Sequence, residues 1–417
     1  MFISSWGRVT HYKTASILDE EKKTQSYLTV GNLRSYGDQP YSSKTKLNLL
    51  NNKIIAFNGV GGWIEAESGA LLQDIRSVVI SHGFDLIVVP GTSLVTIGGA
   101  ISNDIHGKSH HINGSFGNTL ISIKVSIDNK IKTCSPARNT GLFKAVIAGM
   151  GLIGEIVSAK IKVTKTSKLN YEVDSFTFNK IDDFYRLAKK SHDYSDSVAW
   201  FDCKDRHCRG IFFRGKRTDR QIKPSLTINF SYPFNQKFSL INSLTTGLFN
   251  RLYYYRHFFF PANKKLVSHE SFHHPLDKIL GWNKVYGSKG FYQFQCVIPE
   301  DYEKVGIKSI MAAIRKSKQG SFLSVLKKFG PIKSLGYLSF PLCGTTLAID
   351  FPNLGPKTTR LMDELYLIAL EYNGRIYPAK DSLMTERQFK MSFPNYKIFM
   401  KYRNKNIISE MSKRYNI

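Results

Sequence analysis

The chain has 417 residues, with 59 Lys+Arg against 32 Asp+Glu, a net charge of +27, 42% hydrophobic and 22% charged residues. That composition excludes a disordered chain, allows two or three domains, and asks for an acidic partner: nucleic acid, an anionic membrane or a phosphorylated substrate, unless the charge is simply a solvated lysine-rich surface. Five scattered cysteines without a CxxC exclude a disulfide framework, Cys203 and Cys208 lack a second ligand pair for a metal, and no run of 18 apolar residues is present to span a membrane.

The N-terminal stretch MFISSWGRV lacks the apolar core of a signal peptide. From residue 30 to 165, β-branched alternation predicts strands at KIIAFN, GWIEAESG, LIVVPG, LISIKVSI and GEIVSAKIKV. LLQDIRSVVISHG predicts a helix with Leu72, Ile75, Val78 and Val79 on one face and Gly83 as its stop. NTGLFKAVIAGMGL is a second helix candidate, and no GxGxxG follows a first strand, so a Rossmann site is not supported. Beyond 166, strands are expected at YEVDSFTF, SVAWFDC and RGIFFRGK around the helix IDDFYRLAKKS. Residues 231–265 contain no acid but many aromatics and cations, with Phe238, Ile241, Leu244, Leu248, Phe249, Leu252 and Tyr255 near helical spacing. Two readings stay open there: an interfacial membrane or lipid-tail segment, and a core helix with cations at its rim. FYQFQCVIP, SFLSVLKKFG, LGYLSF and TTLAIDFP then read as strands, 301–318 and KTTRLMDELYLIALEYNG as helices.

Chemistry concentrates in Pro90–Asn118, which holds six glycines, three histidines and a lysine. Glycines let the backbone approach a ligand, and successive N–H groups form anion-binding nests. GNLRSYGD, some 50 residues earlier, looks like a first phosphate-binding loop, and GMGLIGE a third contact.

These loops, in this order, resemble the vanillyl-alcohol-oxidase-type flavoproteins. RSYGD, GGAISNDIHGKSHHINGSFGN, FHHPLD, GFYQFQCVIP, SFLSVLKKFG, LAIDFP and RIYPAKDS narrow the resemblance to the decaprenylphosphoryl-β-D-ribose oxidases within that family, over nearly the whole chain. The resemblance implies an α+β fold: a two-lobed FAD-binding domain (1–168 and 375–417) and a substrate domain (169–374) with an antiparallel sheet and flanking helices. Arg34, Ser35, Tyr36, Gly37, Pro90, Gly91, Thr92, Gly98, Gly99, Asn103, His106, Gly107, Gly117, Asn118, Ile153 and Tyr377 would serve the FAD, with Glu155 nearby. Lys108, His273, Gln293, Gln295, Lys327, Thr346, Ala348 and Lys380 would meet the substrate, and Lys380, Lys108 and His106 are the catalytic candidates. Lys380 would orient the hydroxyl, either as a base or as a cation, and His110 and His111 could equally hold loop geometry.

The pattern departs at His273, where the family has a tyrosine, and at Thr346 and Ala348, where the mycobacterial type has Asn and Cys. Arg34 stands where covalently flavinylated relatives carry histidine, so dissociable FAD is expected. The implied reaction is oxidation of a polyprenyl-phosphate pentose at its 2-hydroxyl, completed by a separate short-chain NAD(P)H-dependent reductase, for cell-wall glycan synthesis. A cytoplasmic enzyme at an anionic inner-membrane surface is expected, with no nucleic acid and no metal. An aldonolactone or alditol oxidase of the same fold is one alternative. A non-catalytic basic protein binding lipid or nucleic acid is another.

Overall fold

The structure is a computed structural model that describes residues 2–9, 11–13, 27–43, 45–222, 230–234 and 236–417. It has an α+β fold built on two sheets. The first is antiparallel, in the order Ile54–Asn58, Trp63–Glu67, Glu155–Lys165, Leu120–Ile127, Lys130–Cys134, and Phe84–Leu86 also pairs with Glu155–Lys165. Its alternating residues Ile64, Ala66, Ile123, Val125, Ala159 and Ile161 are buried in one core with the helices Leu72–Ser81 and Ile97–Ser102. Gly83 follows the first of these helices at φ +77°, the left-handed stop expected of it. A small parallel pair, Leu28–Val30 with Thr45–Leu47, extends this lobe.

The second sheet has eight antiparallel strands, ordered Lys265–Ser268, Asn170–Phe178, Gly210–Thr218, Asp196–Phe201, Ser324–Phe329, Gly344–Pro352, Phe291–Pro299 and Arg375–Ile376. One face is covered by the helices Ile181–Lys190, Glu303–Ser317 and Pro356–Glu371. Period-two alternation explains why its centre is buried on both sides. Phe294, Cys296 and Ile298, with Leu347, Ile349 and Phe351, enter the helix-covered core. Gln293 and Gln295, with Thr346, Ala348 and Asp350, occupy the other face.

Two elements differ from the sequence reading. LIVVPG is a strand only up to Leu86. Leu335–Phe340 is a turn, not a strand, closed by the Ser339 N–H to Gly336 O at 3.2 Å and the Gly336 N–H to Ser339 Oγ at 3.1 Å. Its apolar alternation comes from Leu338 and Phe340 dipping separately into two cores.

The helix Ser243–Phe259 falls where the sequence left a membrane-facing and a core reading open, and it does not pack its apolar stripe on the sheet. Thr246, Asn250 and Tyr254 are its buried residues, whereas Leu244, Leu248 and Leu252 face outward. Hydrogen bonds explain the orientation. Asn250 Nδ2 donates to Asp202 Oδ1 at 2.8 Å and Ser321 O at 3.1 Å, and the Tyr254 hydroxyl donates to Asn179 Oδ1 at 2.6 Å. An apolar stripe alone cannot specify its inner face when buried amides and carboxylates offer partners to the polar side.

Candidate active site

A cavity of about 1000 Å³ lies between the first lobe and the open face of the eight-stranded sheet. That is the upper end of the roughly 300–1,000 Å³ usual for small-molecule sites. Arg34, Ser35, Tyr36, Pro90, Gly91, Thr92, Gly98, Gly99, Asn103, His106, Gly107, Lys108, His273, Gln293, Gln295, Lys327, Ala348, Tyr377 and Lys380 all line it. Segments more than 300 residues apart in sequence thus converge on one space.

The wall from the first lobe is glycine-lined for steric reasons. A Cβ on Gly107 would meet Val89 O at 2.2 Å, and one on Gly98 would meet Ser68 at 3.0 Å. Thr96 caps the helix Ile97–Ser102 by accepting the Gly99 N–H at 3.1 Å. Asn103 donates from Nδ2 to Gly99 O at 3.0 Å, which fixes its amide, and its Oδ1 is left buried without a partner. Thr29 Oγ1, Arg34 Nε and Gln39 Oε1, also on residues lining the cavity, are orphaned in the same way. Buried polar atoms without partners are costly, so this wall is built for a ligand rich in hydrogen-bonding groups. A dinucleotide cofactor such as FAD has that character.

The opposite wall carries the charge. The Tyr36 N–H donates to Ala379 O at 2.9 Å, which joins RSYGD to YPAKDS and sets Lys380 Nζ 3.5 Å from the centre of the Tyr36 ring. A cation over an aromatic face is held by about 0.5–2 kcal/mol. Gln293 donates to Asp350, its cross-strand neighbour. Gln295 Nε2 lies 3.0 Å from His106 Nε2, so with the amide as placed His106 accepts there and carries its proton on Nδ1. Tyr377 donates to Asn103 O at 3.0 Å. Lys108 Nζ donates to His273 O at 3.1 Å.

Burial of these cations sets their protonation. Lys327 is pushed down to about 7 by desolvation and by the charges of Lys108 and Lys380. Lys108 is pushed to about 8 by desolvation, against the pull of Asp196. Burial drives Lys380 down and Asp350 up, each toward its neutral form, and their mutual attraction opposes both shifts. His106 is held well below the usual histidine range by desolvation and then by Lys327, His110 and Lys380, so it is neutral near pH 7. A lysine that loses its proton near neutrality can act as a base, and a charged one beside it can hold an anion.

Several expected residues lie elsewhere. Gly37, Gly117, Asn118, Ile153 and Thr346 do not line the cavity. A Cβ on Gly37 would meet Asp381 O at 1.7 Å, so this glycine serves close backbone packing. Gly117 donates its N–H to Asp104 Oδ1 at 2.7 Å, and Asn118 Oδ1 accepts the Ser115 N–H at 3.0 Å, which makes both parts of a turn. Ile153 is in the core. Thr346 donates to Cys296 O at 2.8 Å, behind Gln295. Glu155 pairs with Lys46 at 3.1 Å. His110 and His111 hold loop geometry: His110 Nδ1 accepts the Gly330 N–H at 3.3 Å, and His111 Nε2 bonds Tyr194 O at 2.8 Å.

Asp350 escaped the sequence reading, although its spacing from Thr346 and Ala348 puts it on their face. So did the part of the cavity's apolar end formed by Val198, Trp200, Val325 and Leu280, which Tyr253 and Phe260 join from the segment read as a lipid-tail candidate. A clamp behind the site was also unforeseen. Arg414 donates to Asp38 at 2.7 and 2.8 Å and to Asp381 at 2.8 Å, while the Tyr366 and Tyr415 hydroxyls donate to Asp381 at 2.6 and 2.7 Å. Burial alone would raise Asp381, but Arg414 and these hydroxyls more than offset it and hold the carboxylate below its ordinary range.

Comparison with known proteins agrees with this geometry. The FAD binding domain family matches residues 15–130. Decaprenylphosphoryl-β-D-ribose oxidase of Mycolicibacterium smegmatis is 33% identical over 382 residues, 87% of this chain and 82% of that protein. An uncharacterized Streptomyces coelicolor protein is 23% identical over 78% of this chain and 92% of its own length. D-arabinono-1,4-lactone oxidase of Yarrowia lipolytica is 24% identical over 37% of this chain and 30% of its own. The chain is therefore a member of the decaprenylphosphoryl-β-D-ribose oxidase family and an FAD-dependent oxidoreductase.

Proposed function

We propose that the protein oxidises the 2-hydroxyl of a polyprenyl-phosphate-linked pentose to a 2-keto sugar. The observation that carries this reading is one cavity that joins a glycine wall with orphaned polar atoms, three lysines beside two glutamines, and an apolar end. The name of the Mycolicibacterium relative points the same way.

FAD supplies, when bound, a two-electron acceptor for the hydride that leaves the carbinol carbon. The residues that would hold it are Arg34, Ser35, Tyr36, the Pro90–Thr92 turn, Gly98, Gly99 and Asn103. Lys380, kept partly neutral by burial, takes the hydroxyl proton, and Asp350 beside it tunes that proton affinity. Lys108 and Lys327 neutralise the substrate phosphate. Gln293 and Gln295 fix the remaining sugar hydroxyls, with neutral His106 holding the Gln295 amide in place. The first isoprene units rest against Trp200, Val325 and Leu280.

A 2-keto product requires a separate NAD(P)H-dependent short-chain reductase to return a hydride to the other face of the sugar. The epimer would serve cell-wall or surface glycan synthesis, and the lipid substrate would locate the reaction at a membrane, on its cytoplasmic side. The test is anaerobic titration of the FAD-loaded protein with a polyprenyl-phosphoryl ribose. Bleaching of the flavin band supports the reading. Bleaching only by free aldonolactones or alditols overturns it in favour of a soluble-sugar oxidase.

A further inference from the structure

We infer that the outward face of the helix Ser243–Phe259 is a docking surface for an anionic lipid bilayer, with the helix axis in the membrane plane. Leu244, Leu248, Leu252, Tyr255 and Phe259 are 82%, 60%, 62%, 43% and 66% exposed. Their spacing of three and four residues puts them on one stripe. The stripe faces away from the protein because the opposite face is tied down through Asn250 and Tyr254. A helix that buries its polar residues and exposes its leucines has no aqueous rationale for that face.

Charge selects the occupant. Residues 231–265 contain no Asp or Glu, and Arg251, Arg256, Lys264 and Lys265 are exposed beside the stripe. A second copy of the chain docked through the same face would set these cations against their own equivalents with no acid on the segment to pair them. An anionic bilayer accepts both features: acyl chains take the stripe and headgroups take the cations. Among the described residues no helix is long and apolar enough to cross a membrane, so the contact is peripheral.

The surface is continuous with the cavity, since Tyr253, Arg256 and Phe260 of this segment line it. Docking therefore sets the cavity mouth at the headgroup layer. A lipid-linked substrate could then slide in without its tail crossing water. The docking face stands on the helix alone; only this last link rests on the proposed substrate.

The experiment is co-sedimentation of the FAD-loaded full chain with phosphatidylcholine–phosphatidylglycerol vesicles and with pure phosphatidylcholine vesicles. Binding to the anionic vesicles about tenfold tighter than to the neutral ones is expected. The double substitution Leu248→Glu with Leu252→Glu should weaken that binding by about tenfold or more while leaving the flavin spectrum intact. The proposal is overturned if the native protein stays in the supernatant, if the double variant sediments like the native protein, or if the native protein is a dimer that the variant splits. Should the variant fail to fold, hydrogen exchange of the native protein decides: vesicle-dependent protection over 243–260 supports the proposal, and its absence there overturns it. Flavin bleaching by detergent-dispersed substrate is read separately, so failure of docking and failure of the proposed reaction are distinguishable.

Discussion

Lys380→Met isolates the base from the rest of the pocket. Methionine keeps most of the stem volume and removes the charge 3.5 Å above Tyr36. The backbone bond from the Tyr36 N–H to Ala379 O is untouched, so the RSYGD loop keeps its place and FAD should stay bound. Asp350 loses its neighbouring cation, and burial already pushes that carboxyl up, so it takes a proton rather than leaving a bare charge. What disappears is proton acceptance in the transition state, worth about 10²–10⁴-fold in rate, or about 2.7–5.4 kcal/mol at 1.36 kcal/mol per decade. The assay is anaerobic stopped-flow reduction of the flavin across a pH series. In the native protein the rate should rise with pH as the lysine loses its proton, and burial places that rise below the ordinary lysine range. In the variant the rise should vanish. A loss of less than about tenfold with an unchanged pH profile would remove Lys380 from the role assigned to it.

Lys327→Met should stabilise the apoprotein below about pH 7, where the native lysine is charged and desolvated among Lys108 and Lys380, and the gain should shrink as pH rises from about 7 toward 10.5; thermal unfolding of both proteins across that window checks the sign. Arg414→Met leaves two buried carboxylates, Asp38 and Asp381, without their cation. Denaturant titration should find a loss of about 3–5 kcal/mol, and a native midpoint would contradict it. Gly107→Ala drives a Cβ toward Val89 O, a backbone atom that cannot rotate away. A stability loss of about 1–3 kcal/mol together with weaker FAD retention on desalting is expected.

The parts of the site that were legible in the sequence obey local rules. Gln293 and Gln295 share a face because strand side chains alternate. The glycines of Pro90–Asn118 were read as letting the backbone approach a ligand; Gly98 and Gly107 do line the cavity, but the close neighbours that exclude a Cβ there are Ser68 and Val89 of the chain itself. What escaped depends on partners far away in sequence. Asp350 reads as an ordinary acid until the pairing with Gln293 buries it. Gly117 and Asn118 look like a continuation of the cofactor wall, but Asp104 and Ser115 recruit them for a turn. The helix Ser243–Phe259 shows the limit most clearly. Its apolar positions were visible, yet which side faces the protein was decided by Asp202, Ser321 and Asn179.

The Arg414 clamp has a consequence for how the molecule folds. Its bond to Asp38 spans 376 residues of chain, and the loop it fastens is RSYGD, one edge of the cavity. Contacts of such long range form late, because the entropy of closing the intervening chain must be overcome before they contribute. Docking of the segment carrying Arg414 completes the site, and a ligand that bound only the fastened form would draw that docking forward by mass action.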